Sequence, residues 1–489
     1  MRLSSAFGIL GLACEGIQLG SGKYLVPGGR WRDTEGNVIT AHAGGITREE
    51  KTGRFFWFGE KKVEGHVEGA GVNVYSSDDL VTWEYNGLAL APIEGHPYLS
   101  PDHIIQRPKV VYSIESGLYN MWWHADNASF GLLLQGVATS PNITGPYTFI
   151  DAFSPLGNWS QDYGMFTDRK NGETYSLYSN GDSVLGRDDI IARMNNERNN
   201  LTEVVYTFTN FDLEAPTIVQ TEKSYYALMS HKTGYRLNDV VAFRAENLSG
   251  PWSQPFPVAP LGTRTYSSQS GFTLTVVGDK QTTHLYIGDQ WDANSLWESR
   301  YIWLPMDIDD EKGELKLVWN DVYELDIHTG EWRVPEGTVY YGKNAKVNGN
   351  AFKQEANFAS LNTIVTGIYG NESTVTFEGV EGTGKPQWVS FYYQNIDDMG
   401  FGDQPGGSPD RIGGKFALRR ISSVVVNGKI ENLDTLYQWD TNKGVIHSAP
   451  LLLTLDEGSN NTITIGGLNN GIDFKGADID RIVVYPPEQ

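Results

Sequence analysis

The chain has 489 residues and a formal net charge of −22, from 38 Lys and Arg against 60 Asp and Glu. That length exceeds one ordinary core and predicts two domains, while the acidic balance excludes a nucleic-acid surface, which needs clustered basic side chains to neutralise phosphates. Aromatic residues make up 12% and Gly alone numbers 55, the composition of short aromatic strands between tight turns, so the predicted class is all-β.

The N-terminus, MRLSSAFGILGLACEG, has one basic residue, a short apolar run and small residues beyond it, the layout of a secretory signal over residues 1–19. The run is too short to span a membrane. The sole cysteine, Cys14, falls inside it, so the processed chain is expected to carry no disulfide. Asn-x-Ser/Thr acceptors at Asn127, Asn142, Asn158, Asn200, Asn247, Asn371 and Asn460 point the same way. The expectation is a secreted monomer whose partner is a neutral polymer such as a polysaccharide, with no nucleic-acid or membrane partner.

Residues 20–335 carry a repeat. Five segments share one layout: AHAGGITREEKTGRFFWFGE, QRPKVVYSIESGLYNMWWHA, DYGMFTDRKNGETYSLYSNG, EAPTIVQTEKSYYALMSHKT and QSGFTLTVVGDKQTTHLYIGDQ. Each opens on a polar residue before an apolar run, passes a turn, and continues into an aromatic strand. The leading residues are His42, Gln106, Asp162, Glu214 and Gln269, spaced by 64, 56, 52 and 55 residues, the period of four-stranded propeller blades. The unit endings recur too, with Leu80, Ile143 and Leu248 followed by Trp83, Tyr147 and Trp252. A five-bladed propeller brings the starts of its innermost strands together, so five leading side chains are expected to converge at one mouth.

Chemistry follows from which residues lead. A Glu before Ala-Pro and an apolar strand is costly to bury without a partner or a task, and Pro216 is expected to hold Ala215 extended at the strand entry. Glu214 suits the proton donor of glycoside hydrolysis, with Asp162 holding it protonated by like-charge proximity. None of the other three leading residues, His42, Gln106 and Gln269, is an acid. Gln269 cannot ionise, but it can orient a water by accepting its hydrogen bond; His42 is a further base or a structural hydrogen bonder. Glu60, ending FFWFGE, and His231, ending YALMSH, hold similar places in blades one and four and read as sugar-hydroxyl binders or as turn starts. Trp123 stacks on a sugar or packs in the core. Arg107 is placed to pair with a funnel carboxylate. From 336 to 489 the repeat is gone, and short alternating runs (STVTFEG, QWVSFYY, SSVVVNG, NTITIGG) predict a β-sandwich packed on the propeller.

WRDTEGNVITAHAGGI, FFWFGEKK, YSSDDLVTW, RPKVVY, LEAP, the residues around Gln269 and SRYIWLP together resemble fungal exo-β-1,3-galactanases of glycoside hydrolase family 43, over nearly the whole chain. The resemblance implies an inverting hydrolase that releases galactose from β-1,3-galactan backbones, with Glu214 as general acid, Asp162 as its modulator, Gln269 holding the water, and no catalytic cofactor. Relatives read ERPKV where this chain reads QRPKV, so a site glutamate becomes Gln106, a sugar-binding position. The alternatives left open are a galactan binder without turnover and a hydrolase of arabinofuranosides or xylosides. The sandwich, most clearly in GADIDRIVVY, resembles a family 35 carbohydrate-binding module, which implies calcium at Asp478 and Asp480. The acidic motif expected upstream is replaced by YYGKNAK, with Lys343 and Lys346.

Overall fold

The computed structural model describes residues 23–65, 69–180, 186–293, 295–396, 419–469 and 472–488. The signal segment and Cys14 lie outside them. Five four-stranded antiparallel sheets follow one another in sequence, each in the order first to fourth strand. Their first strands are His42–Arg48, His103–Ser113, Gln161–Thr167, Leu213–Gln220 and Gln269–Val277. Each first strand packs on the first strands of the sheets before and after it, and the fifth meets the first, which closes the ring. This is a five-bladed propeller.

Two devices hold the blades. Large aromatic side chains fill the wedges between sheets: Trp57, Trp83, Trp303 and Tyr323 share one fully buried cluster, and Trp122, Tyr163 and Tyr178 another. Each ring removes on the order of 200 Å² of surface from water. The recurrent endings are the second device. Trp83 Nε1 donates to Leu80 O at 3.1 Å, Tyr147 Oη to Ile143 O at 2.9 Å, and Trp252 Nε1 to Leu248 O at 3.1 Å. The repeat therefore selects an aromatic with a polar tip, which caps the turn below it while its ring joins the core.

Beyond Leu317 the sheets change character. One sheet orders Phe352–Glu355, Thr363–Thr366, Asp478–Val484, Pro386–Gln394 and His447–Thr454, with Thr338–Tyr341 also paired to Asp478–Val484. The other orders Lys346–Val347, Val375–Gly382, Gly458–Gly466, Arg419–Val426 and Asp434–Trp439. Inward residues of both, among them Phe377, Phe391, Ile463 and Ile482, form a single core, as two facing sheets require. The boundary with the propeller combines a buried apolar cluster of Tyr24, Val26, Val322, Val483 and Tyr485 with buried polar contacts. Asp321 Oδ2 accepts from Tyr392 and Tyr485 hydroxyls, each at 2.7 Å, and Oδ1 from Ser448 Oγ at 2.6 Å.

The Asp480 carboxylate does not fit the calcium reading. Asp480 is buried and accepts from Ser360 N at 2.7 Å and Ser360 Oγ at 2.9 Å, and the Arg481 guanidinium pairs with it as well. Its oxygens are taken, and a cation already stands where calcium would. Asp478 begins the last strand, opposite Gln394. Among the described residues no cluster of three or more His, Cys, Asp or Glu has metal-ligand geometry.

Candidate active site

The first strands share a feature absent from the pattern of the sequence. Each breaks register next to its leading residue: between His42 and Gly45, Gln106 and Lys109, Glu214 and Thr217, and Ser270 and Phe272, and in blade three opposite the step from Gln161 to Gly164. Non-glycine residues sit at positive φ in four of these bulges: Ala43 at 46°, Arg107 at 54°, Asp162 at 35° and Ala215 at 59°. Such a conformation costs on the order of 1–3 kcal/mol and persists only where the surroundings enforce it. Bulges re-aim side chains, and here they turn the leading residues into the mouth. The expectation that Pro216 keeps Ala215 extended is therefore wrong, because the bulge overrides the local preference. The kink also needs glycine beside it: a Cβ on Gly44 would stand 1.8 Å from Phe58 O.

Arg107 is the hub. Its backbone N–H donates to Glu60 Oε1 at 2.9 Å, Nε to Asp162 Oδ1 at 3.1 Å, Nη1 to Ser270 O at 3.0 Å and Nη2 to Gln269 Oε1 at 2.7 Å. One buried residue thus joins four blades, its guanidinium reaching blades three and five and its backbone N–H blade one. Burial works to strip its proton, but Asp162, Glu60 and Glu214 raise its pKa further. For Asp162, burial pushes the carboxyl up, and Arg107, Arg187 and His124 bring it below its ordinary value. Lys62 is also buried, and the adjacent Glu60 carboxylate outweighs the desolvation of its ammonium.

Glu214 closes the ring. Its Oε2 accepts from Arg187 Nη1 at 2.7 Å and its Oε1 from Gln269 Nε2 at 3.0 Å. Each of the two carboxylates expected to repel one another therefore faces its own guanidinium. Gln269 Oε1 also accepts from Trp291 Nε1 at 2.9 Å. Two obligate donors on the oxygen and a carboxylate at the nitrogen leave no freedom in how the amide points. The oxygen expected to accept from a water already accepts from Arg107 and Trp291, so Gln269 has only an N–H left to offer.

Register explains what the sequence reading missed. Glu60 stands opposite His42 in the second strand of its blade, and the equivalent partners are His124 opposite Gln106, Ser230 opposite Glu214, and Asp289 opposite Gln269. His231 is one residue beyond Ser230, on the other side of the strand. It is exposed and donates from Nδ1 to Asp239 O at 2.8 Å, outside the linked cluster. His124 and Asp289 end MWWH and LYIGD at the register of Glu60, the sequence signal that marks them. His124 Nδ1 lies 3.2 Å from Gln106 Oε1 and its Nε2 lies 3.0 Å from Asp126 Oδ2, while Gln106 Nε2 donates to Tyr235 Oη at 3.2 Å. His42 Nδ1 lies 3.1 Å from Asp289 Oδ1, and its ring stacks on Tyr301 at 4.8 Å.

Trp123 is a correction. It is fully buried and its ring lies on the Gly136 backbone, where a Cβ would stand 2.2 Å from Cε2. No sugar can reach it. Three further residues carried no sequence signal: Arg187, Trp291 and Asp189. Asp189 is fully buried with no hydrogen-bond partner on either oxygen among the described residues. Burial pushes its carboxyl well above the usual range, against the pull of Arg187 and with the help of Asp162 and Glu214.

Residues 46–286 match Glycosyl hydrolases family 43, and no curated protein matches the chain. Among solved structures it is similar to an exo-β-1,3-galactanase from Phanerochaete chrysosporium in complex with galactose, at 33% identity and TM-score 0.83, covering 95% of this chain and 100% of that one. The chain belongs to glycosyl hydrolase family 43. Variants of the same fungal enzyme with β-1,3-galactotriose superpose equally, at TM-score 0.83. A putative exo-β-1,3-galactanase from Bifidobacterium bifidum s17 is 31% identical with TM-score 0.56, covering 62% of this chain and 99% of that one. The family 43 match spans most of the propeller, and the fungal likeness extends through the sandwich.

Proposed function

We propose that this family 43 glycoside hydrolase is an inverting exo-β-1,3-galactanase, releasing galactose from the non-reducing ends of β-1,3-galactan. The observation that carries the reading is the contact of Glu214 with Gln269 at the mouth, in a chain alike over 95% of its length to a galactanase solved with galactose. Glu214 delivers the proton to the leaving oxygen, Asp162 sets the local field, and Gln269 positions the water. Attack on an oxocarbenium-like centre needs an oriented water more than a strong base.

Catalysis requires this cluster to rearrange around the substrate. Inversion needs room for a sugar and a water between the two groups, roughly 6.5–9.5 Å in carboxylate pairs, so the Gln269 to Glu214 bond has to open. Gln106, Glu60 and Arg107 supply polar contacts for the sugar, with Gln106 removing one negative charge from that wall. Secretion accords with the N-terminal run and with the exposure of Asn142, Asn200, Asn247, Asn371 and Asn460.

Digestion of β-1,3-galactotriose followed by proton NMR tests the reading. Galactose appearing first as the α-anomer supports it. A β-anomer overturns inversion, and binding without free galactose makes the protein a galactan-binding module. Release of arabinose or xylose from aryl glycosides, with none from galactan, moves the substrate.

A further inference from the structure

The sandwich reaches the catalytic cluster through two neighbouring residues at the end of one strand. Trp439 closes Asp434–Trp439, and Asp440 follows it. Trp439 is 4% exposed, and its Nε1 donates to Trp291 O at 3.4 Å. Its cross-strand partner is Arg419, whose guanidinium pairs with Asp292. Two adjacent sandwich residues therefore clamp two consecutive propeller residues. The first of these, Trp291, turns its indole N–H onto Gln269 Oε1 at 2.9 Å.

Asp440 makes the second arm. It is buried and pairs with Arg264 and, at 3.5 Å, with Arg236. Arg236 follows Tyr235, whose hydroxyl accepts from Gln106 Nε2 at 3.2 Å and whose ring meets Trp291 edge-on at 5.5 Å. Burial raises the Asp440 carboxyl and the two arginines oppose it. Both glutamines of the mouth thus depend on propeller loops whose outer faces rest on one sandwich corner.

Building on the function proposed above, we infer that the C-terminal sandwich is a working part of the propeller's site, with Trp439 and Asp440 as positioning residues for Gln269 and Gln106 respectively. A side chain that must hold a water or a sugar hydroxyl to within about half an ångström needs its supports locked, and neither glutamine is locked by its own blade alone. The two arms act on different steps. Loosening Trp291 frees the amide that orients the water, and loosening Tyr235 relaxes the wall that meets the sugar.

The test uses the full chain with β-1,3-galactotriose. Trp439→Phe keeps the ring and removes the N–H; it is expected to lower kcat about tenfold with KM within twofold, since slight misplacement of a reacting group is costly. Asp440→Asn is expected to raise KM several-fold with a smaller change in kcat, and Arg236→Gln cuts the same arm from the propeller side if Asp440→Asn does not fold. Trp388→Phe removes an indole N–H elsewhere on the sandwich and is expected to leave both constants unchanged. Wild-type kinetics in Trp439→Phe and in the Asp440 arm, or equal losses in all variants including Trp388→Phe, overturn the inference. If the wild type releases no galactose, the proposed function fails by itself. The inference is then read from galactotriose affinity by calorimetry, where weakening by Asp440→Asn relative to Trp388→Phe supports it and equal affinities overturn it.

Discussion

The two ends of the propeller axis are built from the same five strands and differ in almost everything else. At the leading ends the strands bulge, four non-glycine residues take positive φ, and Glu60, Asp162 and Glu214 meet Arg107, Arg187 and Lys62 in one buried network. At the trailing ends the ladders run regularly, and the first strands are joined by neutral contacts such as Thr47 Oγ1 to Val110 O at 2.7 Å and Thr273 Oγ1 to Ile218 O at 2.6 Å. A cavity of about 1340 Å³ lies at this second end and touches none of the five leading residues. A roomy cavity by itself therefore does not mark the chemistry. Strain and buried charge mark the working end, because both are costly and neither is needed to close a ring of blades.

That contrast can be broken most sharply at Glu214. Glu214→Gln keeps the shape of the side chain but exchanges one of its two accepting oxygens for an amide N–H, and it has no proton to deliver. It should lower kcat/KM on β-1,3-galactotriose about a thousandfold, in the range for loss of a general acid, while the melting temperature stays within a few degrees. The hub comes next. Arg107→Gln leaves Asp162 without its guanidinium in a largely buried place, and unfolding in urea should show about 3 kcal/mol of lost stability together with loss of turnover.

A third comparison uses pH. Burial raises the Asp189 carboxyl in the folded chain, so the folded state holds a proton that the unfolded state releases. Its contribution is fully present below the unfolded pKa and is lost as pH rises toward the folded value. Asp189→Asn removes that dependence. The variant should gain on the wild type by up to about 1.4 kcal/mol per pH unit above pH 4, until the folded carboxyl ionises. Urea melts at pH 5, 6 and 7 read the slope, and a gap that stays constant would show the carboxyl already ionised. The smallest effect belongs to the trailing end. Thr47→Val should cost about 1 kcal/mol for one lost hydrogen bond and leave kcat and KM as they were.

Legibility followed the range of the interaction. The repeat was readable because each blade has to satisfy the same local demands, down to the aromatic tips of Trp83, Tyr147 and Trp252. Glu214, Asp162 and Gln269 were readable as leading residues for the same reason. Trp123 and His231 were misread because aromatic composition does not say which side of a strand faces a core, and one step along a strand reverses the face. Arg187, Trp291 and Asp189 stand in no repeated position. Their importance comes from what lies across the mouth from them.

The amino-acid sequence by itself determined the all-β class, and its repeat predicted the blades, the end of the repeat near residue 336 and the strand entrances that meet. These rest on periodicity and on turns, which act over a few residues. Only the tertiary structure decided that Arg107 ties those entrances together, that Gln269 has its amide oxygen filled by Arg107 and Trp291, and that Trp439 and Asp440 reach into the site from the sandwich. Apart from Trp291 to Gln269, which lie 22 residues apart in one blade, each of those bonds joins residues 148 or more apart or chain segments from different blades. Nothing short of the folded ring brings them within reach.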